Sequence, residues 1–273
     1  MLKIMSHNVW GMFGASIVKR VDNRNKLMWE IYSTYHPDII GTQEFSEEIR
    51  NSGLLEDLHT CYEELDVVKD IKAYEMANHF TPVFYRKDVL AVLDSGFVLY
   101  DRQFNNRDSK GVTWGVFRHL PSGSIFSIAN THFWYRNGEE HDLARVENAK
   151  EVLKLANRLP KPFFLMGDLN CKMESAAYAE LLSNGLCDVQ LTAPETDLGK
   201  AHHPYPEYDY EKQMFFGAPT PVGDYTKSID HMLVDTEHAK DLKKFMIMTE
   251  QNALDTSDHC PIMLEYDMGE ARR

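Results

Sequence analysis

Cysteine is scarce in this chain, and the little there is forms no motif. Cys61, Cys171, Cys187 and Cys260 are the four in 273 residues. No two stand in a C-x-x-C pair, which argues against a thiolate zinc site. Small buried thiols in a reducing compartment fit better, and the cytoplasm is the expected location. No uncharged apolar run is long enough to span a bilayer. The opening Met1-Leu2-Lys3-Ile4-Met5 reaches His7-Asn8 before it could form the apolar core of a secretory signal. Low-complexity tracts, like-charge blocks and repeats of solenoid period are also missing, so the chain reads as one domain over residues 1–273. Nothing implies an obligate protein partner. Positive charge is in deficit: 29 Lys and Arg against 42 Asp and Glu leave a net −13. Such a surface repels duplex DNA, RNA and anionic membranes at long range. No G-x-S-x-G motif offers a serine nucleophile, which leaves water as the natural attacker.

What is present is the composition of an ordinary globular protein, 43% hydrophobic and 26% charged. Short apolar strands recur, each ending in polar residues and several followed by helical stretches. Leu2-Lys3-Ile4-Met5 ends at Ser6-His7-Asn8. Leu27, Ile31 and Tyr35 then share one helix face that stops before Pro37. Asp38 to Thr42 delivers Gln43-Glu44. Pro82 to Tyr85 and Val89 to Leu93 read as strands, and Val112–Phe117 with Ser124–Ala129 as a hairpin around Pro121-Ser122-Gly123. Leu143 to Ala156 is the clearest amphipathic helix. Phe163 to Met166 reads as a buried strand, and Ser228 to Val234 and Pro261 to Tyr266 as late ones. This α/β mixture of hairpins and strand–helix units predicts two packed sheets with helices outside.

Polar residues gather where these strands stop: Asn8, Glu44, His132, Asp168 with Asn170, Asp230 with His231, and Asp258 with His259. Glu44, Asp168 and Asp258 are hard oxygen donors, and Asn8 adds a neutral carbonyl oxygen. Such a set suits Mg²⁺ or Mn²⁺ with retained waters and phosphate oxygens. Imidazoles and an amide such as Asn170 suit charge developing on a phosphoryl group.

His7-Asn8-Val9-Trp10, Thr42-Gln43-Glu44, Asn130-Thr131-His132, Gly167-Asp168-Leu169-Asn170, Ser228-Ile229-Asp230 and Ser257-Asp258-His259-Cys260-Pro261 resemble, in order and spacing, the endonuclease/exonuclease/phosphatase (DNase I-like) superfamily. The resemblance implies a four-layer α/β/β/α sandwich, two mixed β-sheets face to face with helices outside. It also implies divalent-metal-dependent phosphoester hydrolysis. Position by position, it assigns Glu44 as principal metal ligand with Asn8 and Asp258 beside it. Asp168 would orient or activate water, Asn170 hold the phosphoryl group, and His132 donate to a phosphate oxygen. His259 would face phosphorus, oriented by Asp230. Either Asp168 or the Asp230–His259 pair could take the water proton. Trp10 stands where some nuclease members carry an acid, and Lys227-Ser228-Ile229-Asp230-His231 departs from the Trp-Cys-Asp-Arg signature of the phosphoinositide phosphatases. The run from Asn170 to Tyr178 is similar to the deadenylase-like and uncharacterised bacterial branches.

Other conspicuous residues have plainer readings. Alternation points His231 away from Asp230, into the core or to the surface. His202 and His203 read as solvated loop residues, Trp114 as core, and Trp134 and Tyr135 as a pocket wall. Lys19 to Lys26 is the compact basic stretch near a predicted site strand, read as a solvated start of a helix or a phosphate-meeting rim. Lys240 to Lys244 reads as a charged helix face, and Arg145 as structural or as a partner for an acidic group. The irregular stretch from Leu191 to Asp224, with Tyr205, Tyr208 and Tyr210, reads as a loop that could close over a ligand. The expectation is a phosphoester hydrolase acting on a small or locally single-stranded phosphorylated substrate. The alternatives are a metal-dependent nuclease on DNA or RNA and, third, a non-catalytic binding module.

Overall fold

The computed structural model describes residues 1–11, 15–67, 81–101, 110–203, 207–209, 214–216 and 224–269, with 15–23, 207–209 and 214–216 as backbone alone. The chain opens with β1 (Leu2–Asn8), α1 (Ala15–Tyr35), β2 (Ile39–Gln43), α2 (Glu47–Arg50), α3 (Leu54–His59), β3 (Glu63–Glu64) and β4 (Val83–Tyr85). The Ser46 side chain caps α2 by accepting from the Ile49 N–H. Next come β5 (Leu90–Leu99), β6 (Gly111–His119), β7 (Ile125–His132), α4 (Glu139–Arg158) and β8 (Phe163–Asp168). Gly123, with φ 75°, supplies the left-handed residue of the β6–β7 turn. The chain continues through α5 (Ala176–Ser183), β9 (Leu186–Asp188), α6 (Val189–Thr192), β10 (Glu195–Thr196), β11 (Glu207–Asp209) and β12 (Met214–Phe216). It closes with β13 (Asp230–Asp235), β14 (Leu242–Ile247), α7 (Gln251–Thr256) and β15 (Ile262–Tyr266).

Seven strands form one mixed sheet in the order β10-β14-β15-β1-β2-β4-β3, and six form another, β5-β6-β7-β8-β13-β9. Leu2, Ile4, Phe126, Phe164, Met232 and Leu264 belong to one buried cluster that joins the two sheets. Met28, Ile31 and Tyr32 of α1 pack with Met5, Ile40 and Met263 on the outer face of the first sheet. Ala149, Val152 and Leu153 of α4 pack with Ala129, Leu165 and Leu233 on the outer face of the second. The result is an α/β/β/α sandwich of the DNase I-like type.

Period-two alternation then explains where a site can form. Along the inner face, β1 reads Leu2, Ile4, Ser6, Asn8, and β7 reads Phe126, Ile128, Asn130, His132. β8 reads Phe164, Met166, Asp168, and the antiparallel β13 runs Val234, Met232, Asp230 toward the same end. The space between the sheets is therefore dry over most of its length and polar at one end. A buried rung marks the change. Gln43 Nε2 donates to Asn130 Oδ1 at 2.7 Å and to Ser6 Oγ at 3.1 Å. Asn130 Nδ2 in turn donates to the Thr42 and Pro82 carbonyls at 2.9 and 3.1 Å. Buried amides need such partners.

Two sequence expectations are corrected here. Lys240 to Lys244 is not a helix face: a 3₁₀ turn over Thr236–Asp241 leads into β14, which pairs with β15. A register shift between Leu242 and Lys244 interrupts the alternation, so Lys243 and Lys244 fall together and mimic a charged helical stripe. Leu191 to Asp224 is not wholly irregular, since part of α6, β10 and the β11–β12 hairpin lie within it. Tyr205 and Tyr210 lie outside the described residues, and Tyr208 is described as backbone alone.

Candidate active site

Strand register sets the frame. His132 pairs with Asp168 across β7–β8, and Asp168 pairs with Asp230 across β8–β13. Asn8 stands opposite Gln43 in the parallel β1–β2 pair, one residue before Glu44. The eight residues singled out by sequence thus come from strand ends that face one another.

Asp168 is the hub. Its Oδ1 accepts the Asn170 N–H at 2.9 Å, and its Oδ2 accepts Asn8 Nδ2 at 3.0 Å. The same Oδ2 lies 3.5 Å from His132 Nε2 and 3.9 Å from His259 Nε2. Asn8 Nδ2 also donates to Glu44 Oε1 at 3.3 Å, while Asn8 Oδ1 accepts the Trp10 N–H at 2.9 Å. The Asn8 amide therefore turns its nitrogen, not its oxygen, toward the carboxylates. His259 Nδ1 is held by both oxygens of Asp230 at 2.9 Å, and its Nε2 stands 3.9 Å from Asp258 Oδ1. Asn170 Nδ2 donates to the Phe133 carbonyl at 3.2 Å. Ser257 fastens the last loop to β1, donating to the Asn8 carbonyl at 2.6 Å and accepting the His259 N–H at 3.1 Å.

Backbone strain collects here. Trp10, Glu44 and Asn170 have φ of 51°, 57° and 47°, a left-handed conformation uncommon for side-chain-bearing residues. Each is the kink that turns its strand end into the site. Gly11 is required beside Glu44, because a Cβ there would lie 1.8 Å from the Glu44 carbonyl oxygen.

The charges are arranged to oppose one another. Burial pushes Asp168 up to about 6, against the pull of His259. Burial alone would lower His259, yet Asp230, Asp258 and Asp168 together hold it well above the usual histidine value. Burial raises Glu44, Lys110 counters the rise, and Asp258 adds to it. Glu44 feels the negative charge of Asp258, and both offer oxygen donors of the kind a hard cation takes. Among the described residues, the ligand atoms that lie within 4.8 Å of one another are those of Asp168, Asp230 and His259, and those of His202, Asp258 and His259.

Sequence reasoning missed several contributors. Lys110 is buried at the foot of β6, and its charge reaches both Glu44 and Asp168. Nothing in its spacing distinguished it from other lysines. His202 is not merely solvated: its ring packs against His259 with centroids 4.7 Å apart. His203 is buried, and its N–H donates to the Asp258 carbonyl at 2.9 Å. Within the basic stretch, Arg24 is buried and donates to the Val9, Trp10 and Thr256 carbonyls, fixing the loop that follows β1. The side chains of residues 19–23 lie outside the described residues. Trp134 is packed inward, donating to His141 Nδ1 at 2.8 Å, whereas Tyr135 is exposed. Arg145 is buried and clamps this segment through the Trp134 and Arg136 carbonyls at 2.8 and 2.7 Å. His231 points away from the site, to Asp188 and the Cys171 and Ser228 carbonyls.

An imidazolium backed by carboxylates, a buried carboxylate facing it and an oxygen-rich cation site make a centre suited to phosphoester chemistry. The chain belongs to the endonuclease/exonuclease/phosphatase family, whose model matches residues 5–259. Members of this family act on phosphoester bonds. Comparison with functionally described proteins by sequence finds no match. Among solved structures, the chain is similar to an endonuclease/exonuclease/phosphatase family protein from Bacteroides thetaiotaomicron, at 23% identity and a TM-score of 0.73 over 98% of both chains. It is similar to the mannosyl-6-phosphatase of the same organism, at 23% identity and TM-score 0.72, over 98% of this chain and 100% of that one. It is also similar to D. rerio TDP2 complexed with a single-strand DNA product, at 17% identity and TM-score 0.70, over 98% and 99%.

Proposed function

We propose that this protein is a divalent-metal-dependent phosphoester hydrolase, using Mg²⁺ or Mn²⁺, in which Asp168 takes the proton from the attacking water. The observation that carries the reading is the division of labour around Asp168. His259 is pinned by Asp230 among three carboxylates and is held protonated, so it suits donating to phosphate and not accepting from water. Asp168, raised toward neutrality, is the group matched to proton abstraction. His132, beside Asp168, would donate to a phosphoryl oxygen, and Asn170, two residues beyond Asp168, would hold the phosphoryl group. Glu44 and Asp258 would hold the ion. Asn8, whose amide hydrogen-bonds Glu44 and Asp168, would stand beside them as a third ligand. An ion bound there would supply Lewis-acid stabilisation of phosphoryl charge.

A small or locally single-stranded phosphorylated substrate is supported by the −13 net charge and by the burial of Arg24, which removes one cation from the basic stretch that follows the β1 strand. The pairing of β1 with β15 ties the two ends of the chain into one sheet, in support of a single catalytic domain over 1–273. The cytoplasmic reading is supported by four free thiols. Among the described residues, no helix is long and apolar enough to cross a membrane.

The test is a panel of phosphomonoesters and diesters with Mg²⁺, Mn²⁺ or chelator. It includes a sugar 6-phosphate and a single-stranded oligonucleotide, as two similar structures carry names pointing to these. Metal-dependent turnover of at least one compound is expected, abolished by chelation and by Asp168→Asn. Full activity in excess chelator would refute the assignment, and cleavage of nucleic acid alone would make this a nuclease.

A further inference from the structure

The segment Ala201-His202-His203 adds itself as a short antiparallel bridge beside the loop that carries Asp258 and His259. The His203 N–H donates to the Asp258 carbonyl at 2.9 Å, and the Cys260 N–H donates to the Ala201 carbonyl at 3.1 Å. These bonds flank His202 and His259 without joining them. In an antiparallel pair, residues opposed in this way bring their side chains closest and onto the same face. The His202 ring accordingly sits 4.7 Å from the His259 ring, edge to face. His259 is buried and His202 is partly exposed, so His202 forms the solvent-side wall of the His259 position.

We propose that His202 is a further phosphate-contacting residue, donating a hydrogen bond to an oxygen of the bound phosphoester beside His259. The inference rests on the hydrolase reading above and adds a residue to it. Distance carries the argument. A ring nitrogen of His202, one of His259 and a carboxylate oxygen of Asp258 all lie within 4.8 Å of one another. Two donors that share one oxygen at about 2.8 Å each can stand up to about 5.6 Å apart. The separation of the two imidazoles falls inside that bound, so one phosphate oxygen can lie between them. A histidine ring, neutral or charged, always has at least one N–H to give.

Three variants separate contact from simple shielding of His259: His202→Ala, His202→Gln and His202→Leu. Inorganic phosphate binding is measured by calorimetry with saturating Mn²⁺, together with Michaelis parameters for the phosphoester that the panel turns over fastest. His202→Ala and His202→Leu are expected to weaken phosphate binding and raise KM by about 10- to 100-fold, the value of one hydrogen bond to a charged group. The change in kcat should be the smaller one. His202→Gln should recover most of the binding. A His202→Leu protein equal to wild type would make the ring a shield and overturn the contact. Weakened Mn²⁺ binding with phosphate affinity intact would overturn it as well, making His202 an ion ligand. A wild type that turns over esters while all three variants match it refutes His202 alone. A wild type that neither binds phosphate nor hydrolyses any ester refutes the hydrolase reading with it.

Discussion

Asp168 divides its oxygens, one accepting the Asn170 N–H and the other facing Asn8, His132 and His259. Its pKa, pushed by burial from 3.8 to about 6, is also a statement about folding. A carboxyl raised in the folded state favours folding below its unfolded pKa and costs stability as pH climbs toward the folded value. Above about pH 6 the full cost of the buried charge is present. Asp168→Asn should therefore abolish turnover yet stabilise the metal-free protein at pH 7 by about 1–3 kcal/mol, read by urea unfolding in chelator. His259 behaves oppositely. Its raised pKa contributes stability below the unfolded value near 6.5 that is lost as pH rises through the folded pKa. Asp230→Asn removes the nearest carboxylate charge, so NMR titration of His259 should show a lower pKa and the alkaline limb of activity should move down in pH. An unmoved His259 signal would break the pairing. Glu44→Gln keeps the shape and removes the charge, and calorimetry should show Mn²⁺ binding weakened by about tenfold or more.

At the scale of elements, the site depends on strands staying in register. Gly167 precedes Asp168 with φ 147°, and a Cβ there would lie 2.0 Å from the Thr131 carbonyl oxygen. Gly167→Ala must push β7 from β8, the pair that sets His132 beside Asp168. Thermal unfolding should show a loss of at least about 1–3 kcal/mol, with activity falling in the fraction that remains folded. Gly123 is the control, because it also has positive φ but open space around its Cβ. Gly123→Ala should cost less and leave kcat alone. The Gln43–Asn130 rung shows the same dependence from the other side: it satisfies two carbonyls of the first sheet with a side chain of the second.

For the molecule as a whole, charge and shape bear on the substrate. A net charge of −13 opposes a polyanion at long range, and tight duplex binding needs many cationic contacts whose loss on raising salt is steep. Turnover of small phosphoesters should therefore exceed plasmid nicking at physiological salt and change little between 50 and 200 mM, about the span over which duplex binders lose several decades of affinity. Efficient, salt-sensitive nicking with no small-ester turnover would reverse this.

Much of the protein follows from the chain read alone. Strand periodicity, the polar residue at each strand end and the order of the motifs sufficed for the two sheets, the family and the eight residues of the candidate site, because these signals are local and repeat at a fixed period. Composition likewise yielded the charge balance and the free-thiol pattern. Side-chain partnership across long separations was decided only by the tertiary structure. Lys110 became part of the site because the fold brings its charge to bear on Glu44 and Asp168, and His202 because a loop bridge brings it beside His259. Arg24 left the surface because three carbonyls from the two ends of the chain converge on it. Asn8 shows the finest division: the sequence placed it at the site, but the orientation of its amide depends on the kinked Trp10 N–H, a contact that exists only once β1 has ended and turned.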